Sequence, residues 1–181
     1  MMPYSATFFD KKIEKFIQKW GYISYFDIGV GAGKYGKIIR KIYPNAQLKG
    51  IEIDSEYINK FHLSETYNEI ILGNIMDYIS KKSDAIADVV IIGDIIEHLL
   101  KSEGIDLLNY LVYRAKKIIV VYPKKYVQYA VNNKENEAHR SVWNKDDFKA
   151  FNFKIYNAEY LSMVIINGYL NDKQAIIKLY G

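Results

Sequence analysis

The stretch FDIGVGAGKYG, residues 26–36, holds four glycines between an apolar run and a run of helix-forming residues. Glycines at such a place let the backbone turn sharply and approach a ligand closely, and the following helix offers its N-terminal amides to a bound group. The spacing of Gly31, Gly33 and Gly36 fits the pattern GxGxxG, which is typical of nucleotide-binding loops. The stretch therefore predicts a strand, a glycine loop and a helix built around a nucleotide.

Apolar runs alternate with segments of helical periodicity between residues 22 and 122. Five runs rich in Ile and Val predict strands, at 22–28, 46–53, 69–72, 88–93 and 117–122. The segments between them predict helices at 34–43, 55–63, 75–82 and 102–116, with Ser55 and Ser102 as N-caps. Most of the strand runs lack alternation, which is typical of strands buried on both faces. This order predicts a parallel sheet with helices on both faces.

The last third of the chain has a different character. Residues 123–143 are polar and weakly periodic, and we expect them to form a loop over the acceptor side. A short helix capped by Asn144 follows, and then strand material with a turn signal at Asn171 and Asp172. We therefore predict a Rossmann-like, mostly parallel seven-stranded sheet that ends in a C-terminal antiparallel hairpin.

Composition limits the possible classes of protein. With 181 residues, half of them hydrophobic, the chain is long enough for one domain over 1–181, beginning with a helical segment at 1–20. The absence of cysteine excludes disulfides, thiolate zinc sites and cysteine nucleophiles. The net charge of +4 comes from scattered lysines, so it does not favour a nucleic-acid partner. The longest uncharged run, 160–171, falls short of the roughly 18 residues of a membrane span, and we expect a soluble, cytoplasmic protein.

Two carboxylates narrow the choice of nucleotide. Asp27 ends the first predicted strand, where it would repel a pyrophosphate but suit an amino group. Glu52 ends the second strand, 19 residues after Gly33, where a carboxylate can accept hydrogen bonds from both ribose hydroxyls. A ligand with a ribose, an ammonium and no phosphate is S-adenosylmethionine (SAM). The alternative is a dinucleotide oxidoreductase, for which the second half of the fold and any hydride-transfer residues are missing.

Over nearly its whole length, from about residue 20, the chain resembles the class I SAM-dependent methyltransferases. The resemblance is carried by DIGVGAG (27–33), GIEID (50–54), GNIMDY (73–78), ADVVIIGDIIEHL (87–99) and VVYP (120–123). It implies that residues at the ends of the first four strands hold the cofactor: Asp27, Gly29, Gly31, Gly33, Glu52, Asn74, Ile75 and Asp94.

The segment after the fourth strand leaves two interpretations open. In one, Asp94 contacts the methionine end of the cofactor while Glu97 and His98 cap and orient the next helix. In the other, DIIEH (94–98) and EAHRSVWNKDDF (137–148) are similar to motifs of metal-dependent methyltransferases that modify the terminal ribose 2′-hydroxyl of small RNAs. That similarity implies a divalent metal, Mg or Mn, held by Glu97, His98 and His139. His139 could instead be the base that deprotonates the acceptor, so His98 and His139 are the catalytic candidates.

Residues and motifs that the sequence lacks exclude some classes of methyl acceptor. The chain has no Asn-Pro-Pro-aromatic or Asp-Pro-Pro-Tyr string, so methylation of exocyclic amino groups on DNA is not indicated. Without cysteine, methylation of cytosine C5 through a thiol adduct is impossible. We predict O-methylation of a small molecule or a glycan intermediate. Two alternatives stay open, a metal-assisted ribose 2′-O-methyltransferase acting on RNA, and a non-catalytic SAM-binding or partner module. His62 is predicted to lie on the surface.

Overall fold

The computed structural model describes residues 6–81, 85–124, 128–129 and 138–170. Within these residues, seven strands form one sheet in the order β3-β2-β1-β4-β5-β7-β6. The first five strands are parallel, and β7 pairs antiparallel with both β5 and β6. The predicted α/β class with a mostly parallel sheet is confirmed. The strands are β1 Ser24–Ile28, β2 Gln47–Glu52, β3 Glu69–Leu72, β4 Ala87–Gly93, β5 Ala115–Pro123, β6 Phe153–Asn157 and β7 Leu161–Asn167.

The helices lie between the strands, as the periodicity predicts. They are α1 Asp10–Trp20, α2 Lys34–Ile42, α3 Ser55–Lys60, α4 Leu63–Thr66, α5 Ile75–Lys81 and α6 Lys101–Val112, with two 3₁₀ turns at Ile96–His98 and Lys145–Phe148. The single helix predicted at 55–63 is wrong, because the chain breaks at His62, whose φ is 50°. His62 is exposed, as predicted.

Both predicted serine N-caps are wrong, while the asparagine cap is confirmed. The cap of α3 is Asp54, whose side chain accepts a hydrogen bond from the Glu56 amide. Ser102 lies inside α6, which begins one residue earlier. The Asn144 side chain accepts from the Asp146 amide and caps the second 3₁₀ turn. In α3 and in the second 3₁₀ turn, a side chain with an acceptor oxygen satisfies an orphan amide at the beginning of the element.

Two hydrophobic clusters cover the two faces of the sheet. Alternate residues of β1 divide between them: Phe26 and Ile28 face α5, α6 and Trp143, whereas Tyr25 faces α1, α2 and α4. Because both faces are buried, the central strands are apolar at nearly every position, and this explains why their sequences do not alternate.

The antiparallel hairpin at the end of the sheet is confirmed. Its two strands, β6 and β7, are connected through residues 158–160, and the Ala158 amide donates to the Leu161 carbonyl. Asn171 and Asp172, where the turn signal lies, are outside the described residues. Within the described parts of the chain, none of the helices has the length and apolarity needed to cross a bilayer.

The chain direction places a crevice at the centre of the sheet. β1 lies between β2 and β4, and the connections from these strands leave on opposite faces. At such a switch point the carboxyl ends of neighbouring strands open a groove in which α/β proteins bind ligands. Here the groove lies between Ile28 and Gly93, the last residues of β1 and β4.

Candidate active site

The glycine loop follows β1 in a left-handed backbone conformation. Gly29, Gly31 and Gly33 have φ values of 73°, 52° and 76°, which residues with a side chain rarely adopt. Gly29 has a second reason to lack a side chain, because a Cβ there would lie 2.0 Å from the Ile95 Cδ1 atom. The amide of Gly29 donates to the Ile51 carbonyl of β2 at 2.9 Å, so the loop is attached to the neighbouring strand.

Gly36, the last glycine of the GxGxxG pattern, leaves room for the side chain of Tyr67. A Cβ at Gly36 would lie 2.4 Å from the ring of Tyr67, and the Gly36 amide donates to the Tyr67 hydroxyl at 3.1 Å. A glycine at this position of the pattern allows close packing of a helix. Tyr67 itself belongs to no motif, so sequence reasoning missed it.

Asp27 is buried at the end of β1 beside the loop. Its Oδ2 atom accepts a hydrogen bond of 2.5 Å from the Tyr67 hydroxyl, whereas its Oδ1 atom is buried and has no hydrogen-bond partner among the described residues. Burial raises the pKa of Asp27 to about 7, against the lowering effects of the Tyr67 hydrogen bond and the Lys34 charge. The carboxylate therefore lies at the predicted place with one oxygen engaged and the other available.

Glu52 links the second strand to the glycine loop. Its Oε2 atom accepts from the Gly31 amide at 2.7 Å, and its Oε1 atom accepts from the Asp54 amide at 3.0 Å. Burial raises its pKa, and these backbone hydrogen bonds partly offset the effect. Because each carboxylate oxygen can accept more than one hydrogen bond, Glu52 keeps capacity for a ligand hydroxyl.

The residues after β3 begin a helix. The Asn74 side-chain oxygen accepts from the Met76 amide at 2.7 Å, so it acts as an N-cap of α5. Ile75, the first residue of that helix, is buried on the other face of the sheet from α2. Both residues follow the carboxyl end of β3, which pairs with β2 through Glu52 and Leu72.

Asp94 follows β4 in an unusual backbone conformation. Its φ is 55°, one of two positive values among the described residues other than glycine, and its amide donates to the Val121 carbonyl at 2.9 Å. Left-handed residues with a side chain are strained and occur preferentially at functional sites. Asp94 directly follows Gly93, which borders the crevice between β1 and β4, so the strained backbone lies at this crevice.

Glu97, His98 and His139 come together although 40 residues separate the two histidines. One ligand atom from each residue lies within 4.8 Å of the others, and the two imidazole rings are 5.0 Å apart and nearly perpendicular. The His98 Nδ1 atom lies 3.1 Å from the Ala138 carbonyl, so when Nδ1 carries the proton, Nε2 is the nitrogen that can bind a metal or accept a proton.

Glu97 is the buried member of this cluster. Its Oε2 atom is buried and makes no hydrogen bond within the described parts of the chain. Burial, and then the neighbouring Asp94 carboxylate, raise the pKa of Glu97 well above its usual range. A buried carboxylate with an unsatisfied oxygen is costly, and a cation beside it would offset this cost.

Backbone contacts hold residues 138–143 against the turn that carries Glu97. The Arg140 and Ser141 amides both donate to the Glu97 carbonyl, at 2.8 and 3.0 Å. The Trp143 indole N–H donates to the Ile96 carbonyl at 3.1 Å, and its ring is buried. The predicted acceptor-side loop at 123–143 is only partly described, at residues 123–124, 128–129 and 138–143, so its role as a lid stays a prediction.

The crevice therefore joins two sets of predicted residues. Asp27, Glu52 and the glycines lie around the end of β1, and Asp94 begins the segment that leads to the histidine cluster. Their side chains are mostly acidic, and their carboxyl groups can receive a positively charged ligand.

Comparison with known proteins bears on the fold. No protein-family model matches the sequence, and no curated protein matches it either. Among solved structures, the methyltransferase domain of bacterial CtHen1-C has a TM-score of 0.65 at 15% identity and covers 89% of this chain and 97% of its own. A SAM-dependent methyltransferase from Archaeoglobus fulgidus has a TM-score of 0.62 at 14% identity, with 87% and 94% covered.

A third structure, the N-terminal domain of EvdMO1 in the presence of SAH (S-adenosylhomocysteine) and D-fucose, has a TM-score of 0.63 at 10% identity, with 90% and 82% covered. These comparisons do not confirm the narrower resemblance to ribose 2′-O-methyltransferases of small RNAs. Their TM-scores above 0.6 show that they share the α/β fold of this chain. The chain has the Rossmann-like fold of the class I SAM-dependent methyltransferases.

Proposed function

We propose that the protein is a SAM-dependent methyltransferase that methylates a hydroxyl group of a small molecule or a glycan intermediate. The observation that carries the proposal is the set of carboxylates around the glycine loop. Glu52 bonds to the loop at the end of β2, where it can receive ribose hydroxyls, and at the end of β1 Asp27 has a buried oxygen without a hydrogen bond among the described residues. This arrangement suits a nucleoside with a positively charged tail.

The same charges disfavour a dinucleotide. A pyrophosphate beside the loop would lie close to Asp27 and to the carboxylates after β4, and repulsion among like charges in a buried site is strong. SAM carries a sulfonium and an ammonium and has no phosphate. The electrostatics therefore favour SAM over NAD, as the sequence predicts.

Methyl transfer to a hydroxyl is an in-line displacement. The acceptor oxygen forms a bond to the methyl carbon while the S–C bond breaks, and the electron pair of that bond stays on sulfur. The protein has to aim the acceptor and take up its proton. His98 and His139 lie beside Glu97 at the end of the crevice, and an imidazole can accept a proton near neutral pH.

The donor atoms of Glu97, His98 and His139 also fit a divalent cation. Ligands of a cation with bonds of about 2.0–2.2 Å lie up to about 4 Å apart, so a separation of 4.8 Å would close with a small shift. The carbonyl of Ala138 beside His98 Nδ1 is the kind of partner that orients a metal-bound imidazole. A cation bound there would lower the pKa of a neighbouring hydroxyl. We favour Mn or Mg in this role.

Calorimetry with SAH and NAD tests the donor. We expect SAH to bind and NAD to bind at least about 10-fold more weakly, because its phosphates meet buried carboxylates. A protein that binds neither SAM nor SAH, or binds NAD more tightly, would contradict the proposal. Two-state unfolding of the same sample is the control that the protein is folded.

A turnover assay tests catalysis and the metal. Production of SAH from SAM is measured with pools of hydroxylated small molecules and sugars; the EvdMO1 crystal contained D-fucose, so sugars are a rational first pool. Loss of activity with EDTA and recovery with Mn or Mg would support the metal. Activity that is unaffected by EDTA but lost in His139→Ala would support His139 as a base. SAH binding without turnover of any pool would favour the non-catalytic module.

A further inference from the structure

Tyr35 extends from the glycine loop to the end of β4. It is the second residue of α2, directly after the loop, and only 4% of its surface is exposed. A Cβ at Gly93 would lie 2.2 Å from the Tyr35 ring and 2.6 Å from its hydroxyl oxygen. The absence of a side chain at Gly93 therefore lets the phenol reach the carboxyl end of β4, immediately before Asp94.

The hydroxyl of Tyr35 is buried without a hydrogen bond. Its oxygen has no partner among the described residues, although the rest of the ring is well packed. A buried hydroxyl without a partner costs free energy, and a phenylalanine would fill the same space without that cost. An unpartnered hydroxyl in a ligand crevice indicates that its partner is a ligand.

Four acidic side chains lie near enough to act on the phenol. Burial raises the pKa of Tyr35 well above its usual value, and Asp94, Asp27, Asp10 and Glu97 add to the effect in that order. The phenol therefore stays protonated and neutral. The Lys34 ammonium lies 4.4 Å from the ring centroid, but it is already bound by Asp10 at 3.1 Å and by the Ala6 carbonyl at 2.9 Å.

We propose that Tyr35 is a donor-binding residue whose phenolic oxygen accepts a hydrogen bond from the ammonium group at the methionine end of SAM. The inference rests on the proposed function, since it assumes that the crevice binds SAM. The surrounding carboxylates attract the ammonium and repel the carboxylate at that same end of the ligand. The contact would satisfy the phenolic oxygen and place the ammonium beside Asp94.

Two ligands separate this contact from a general effect on the crevice. SAH carries the amino-acid end, whereas 5′-methylthioadenosine has the same nucleoside and sulfur but lacks that end. Calorimetry on Tyr35→Phe should show SAH affinity reduced about 10-fold and methylthioadenosine affinity unchanged. Without ligand, the variant should unfold at the wild-type temperature or above, because the lost hydroxyl has no partner.

Tyr25→Phe is the matched control. Tyr25 is also buried in β1, but its hydroxyl donates to the Tyr22 carbonyl at 2.6 Å, at the amino end of the strand away from the crevice. This variant should be less stable than the wild type and should bind both ligands normally. The contrast between the two Tyr→Phe changes separates ligand binding from stability.

Each outcome decides one of the two claims. If the wild-type protein binds SAH and Tyr35→Phe binds it equally well, the inference is overturned while the proposed function stands. Equal losses for SAH and methylthioadenosine would also overturn it, because the phenol would then act on the nucleoside site and not on the ammonium. If the wild-type protein binds neither ligand, the proposed function fails and the inference fails with it.

Discussion

The two ends of the crevice are built in different ways. The donor end, around β1 and β2, is built from consecutive elements of the chain, and its carboxylates are bonded to backbone amides and to Tyr67, which lies 40 positions after Asp27. The acceptor end joins the turn after β4 to residues 138–143, about 40 positions later. Its Glu97 keeps a buried oxygen without a hydrogen bond in the described structure. The donor end also keeps such an oxygen, Asp27 Oδ1, so the two ends differ in how their carboxylates are held, with those of the donor end accepting hydrogen bonds from backbone amides and from Tyr67.

The difference suggests where each end is sensitive. Substitutions at the donor end should change ligand affinity and the pH dependence of folding, because its charges are coupled to the core. Substitutions at the acceptor end should change metal binding and turnover, because its backbone is held by contacts independent of the histidine side chains.

The largest effect is expected from the protonation of Asp27. Its folded pKa of about 7 lies above the ordinary value of 3.8, so the folded protein keeps a proton that the unfolded chain releases. The resulting stabilisation is complete below pH 4 and is lost as the pH rises through 7. Relative to Asp27→Asn, the wild-type free energy of unfolding should fall by at most about 4 kcal/mol over this range. Urea unfolding at several pH values measures the difference.

Tyr67→Phe sharpens this test. The Tyr67 hydrogen bond lowers the pKa of Asp27, so its removal should move the pH window to higher values. In the Tyr67→Phe variant, the loss of stability with rising pH would then continue above pH 7. Parallel pH profiles for the wild type and Asp27→Asn would show instead that Asp27 titrates normally in the folded protein.

The second effect concerns the acceptor end. His139→Ala removes one of the three proposed ligand atoms, and the affinity for Mn²⁺ should fall on the order of 100-fold. SAH affinity should stay at the wild-type value, because His139 belongs to the other end of the crevice. Calorimetry with MnCl₂ measures the first quantity and SAH titration the second. His62→Ala is the matched control, since that histidine side chain is 74% exposed.

Unchanged Mn²⁺ affinity in His139→Ala would exclude His139 as a ligand. Its proximity to His98 would then be a packing contact between two rings 5.0 Å apart. If the wild-type protein shows no measurable Mn²⁺ binding, the metal site is contradicted, and the alternative in which a histidine acts as a base is favoured.

The two ends also differ in how far the sequence predicts them. At the donor end, Gly29, Gly31, Gly33 and Glu52 follow from spacing, because backbone geometry ties a strand, its loop and the next strand end closely together. Tyr67 could not be found in this way. It reaches Asp27 across 40 residues, and its trace in the sequence consists of glycines that make room for it, Gly36 above all and also Gly50.

At the acceptor end, the candidate residues are predicted by motif similarity and not by periodicity. Glu97, His98 and His139 were named from a resemblance, and the fold brings their side chains together. Trp143 was part of the same string, but its burial against α6 depends on tertiary packing, which the string does not contain. The wrong N-caps have a similar cause, because several neighbouring residues could cap and only the three-dimensional position of the helix selects one.

The third effect is expected from the loss of the Glu52 carboxylate at the donor end. Glu52→Ala should weaken SAH binding by about 1–3 kcal/mol, because ribose hydroxyls lose a charged acceptor. The same change leaves the Gly31 and Asp54 amides without their side-chain partner, so stability should also fall. SAH titration combined with urea unfolding separates the two losses. Unchanged SAH affinity in a folded variant would remove Glu52 from the binding site.

The smallest effect is expected at Gly104, which connects α6 to the acceptor end. A Cβ there would lie 2.4 Å from the Trp143 ring, so Gly104→Ala must displace a side chain that bonds to the Ile96 carbonyl. In an exposed helix interior the same change stabilises by about 1 kcal/mol, but overpacking costs about 1–3 kcal/mol. We therefore expect a net loss of stability of about 1 kcal/mol.

The Gly104→Ala variant should also weaken Mn²⁺ binding and leave SAH affinity intact, because Trp143 ends the segment that carries His139, whereas the glycine loop is attached to β2. Ser102→Ala, at an exposed position of the same helix, is the control, and it should be neutral or slightly stabilising without any change in binding. If Gly104→Ala were as stable as Ser102→Ala, Trp143 would have room to move, and the segment holding His139 would be less firmly packed than its hydrogen bonds to the Glu97 carbonyl imply. If it weakened SAH binding as strongly as Mn²⁺ binding, the two ends of the crevice would be mechanically coupled through the turn at Ile96, and the independence assumed for them would be wrong.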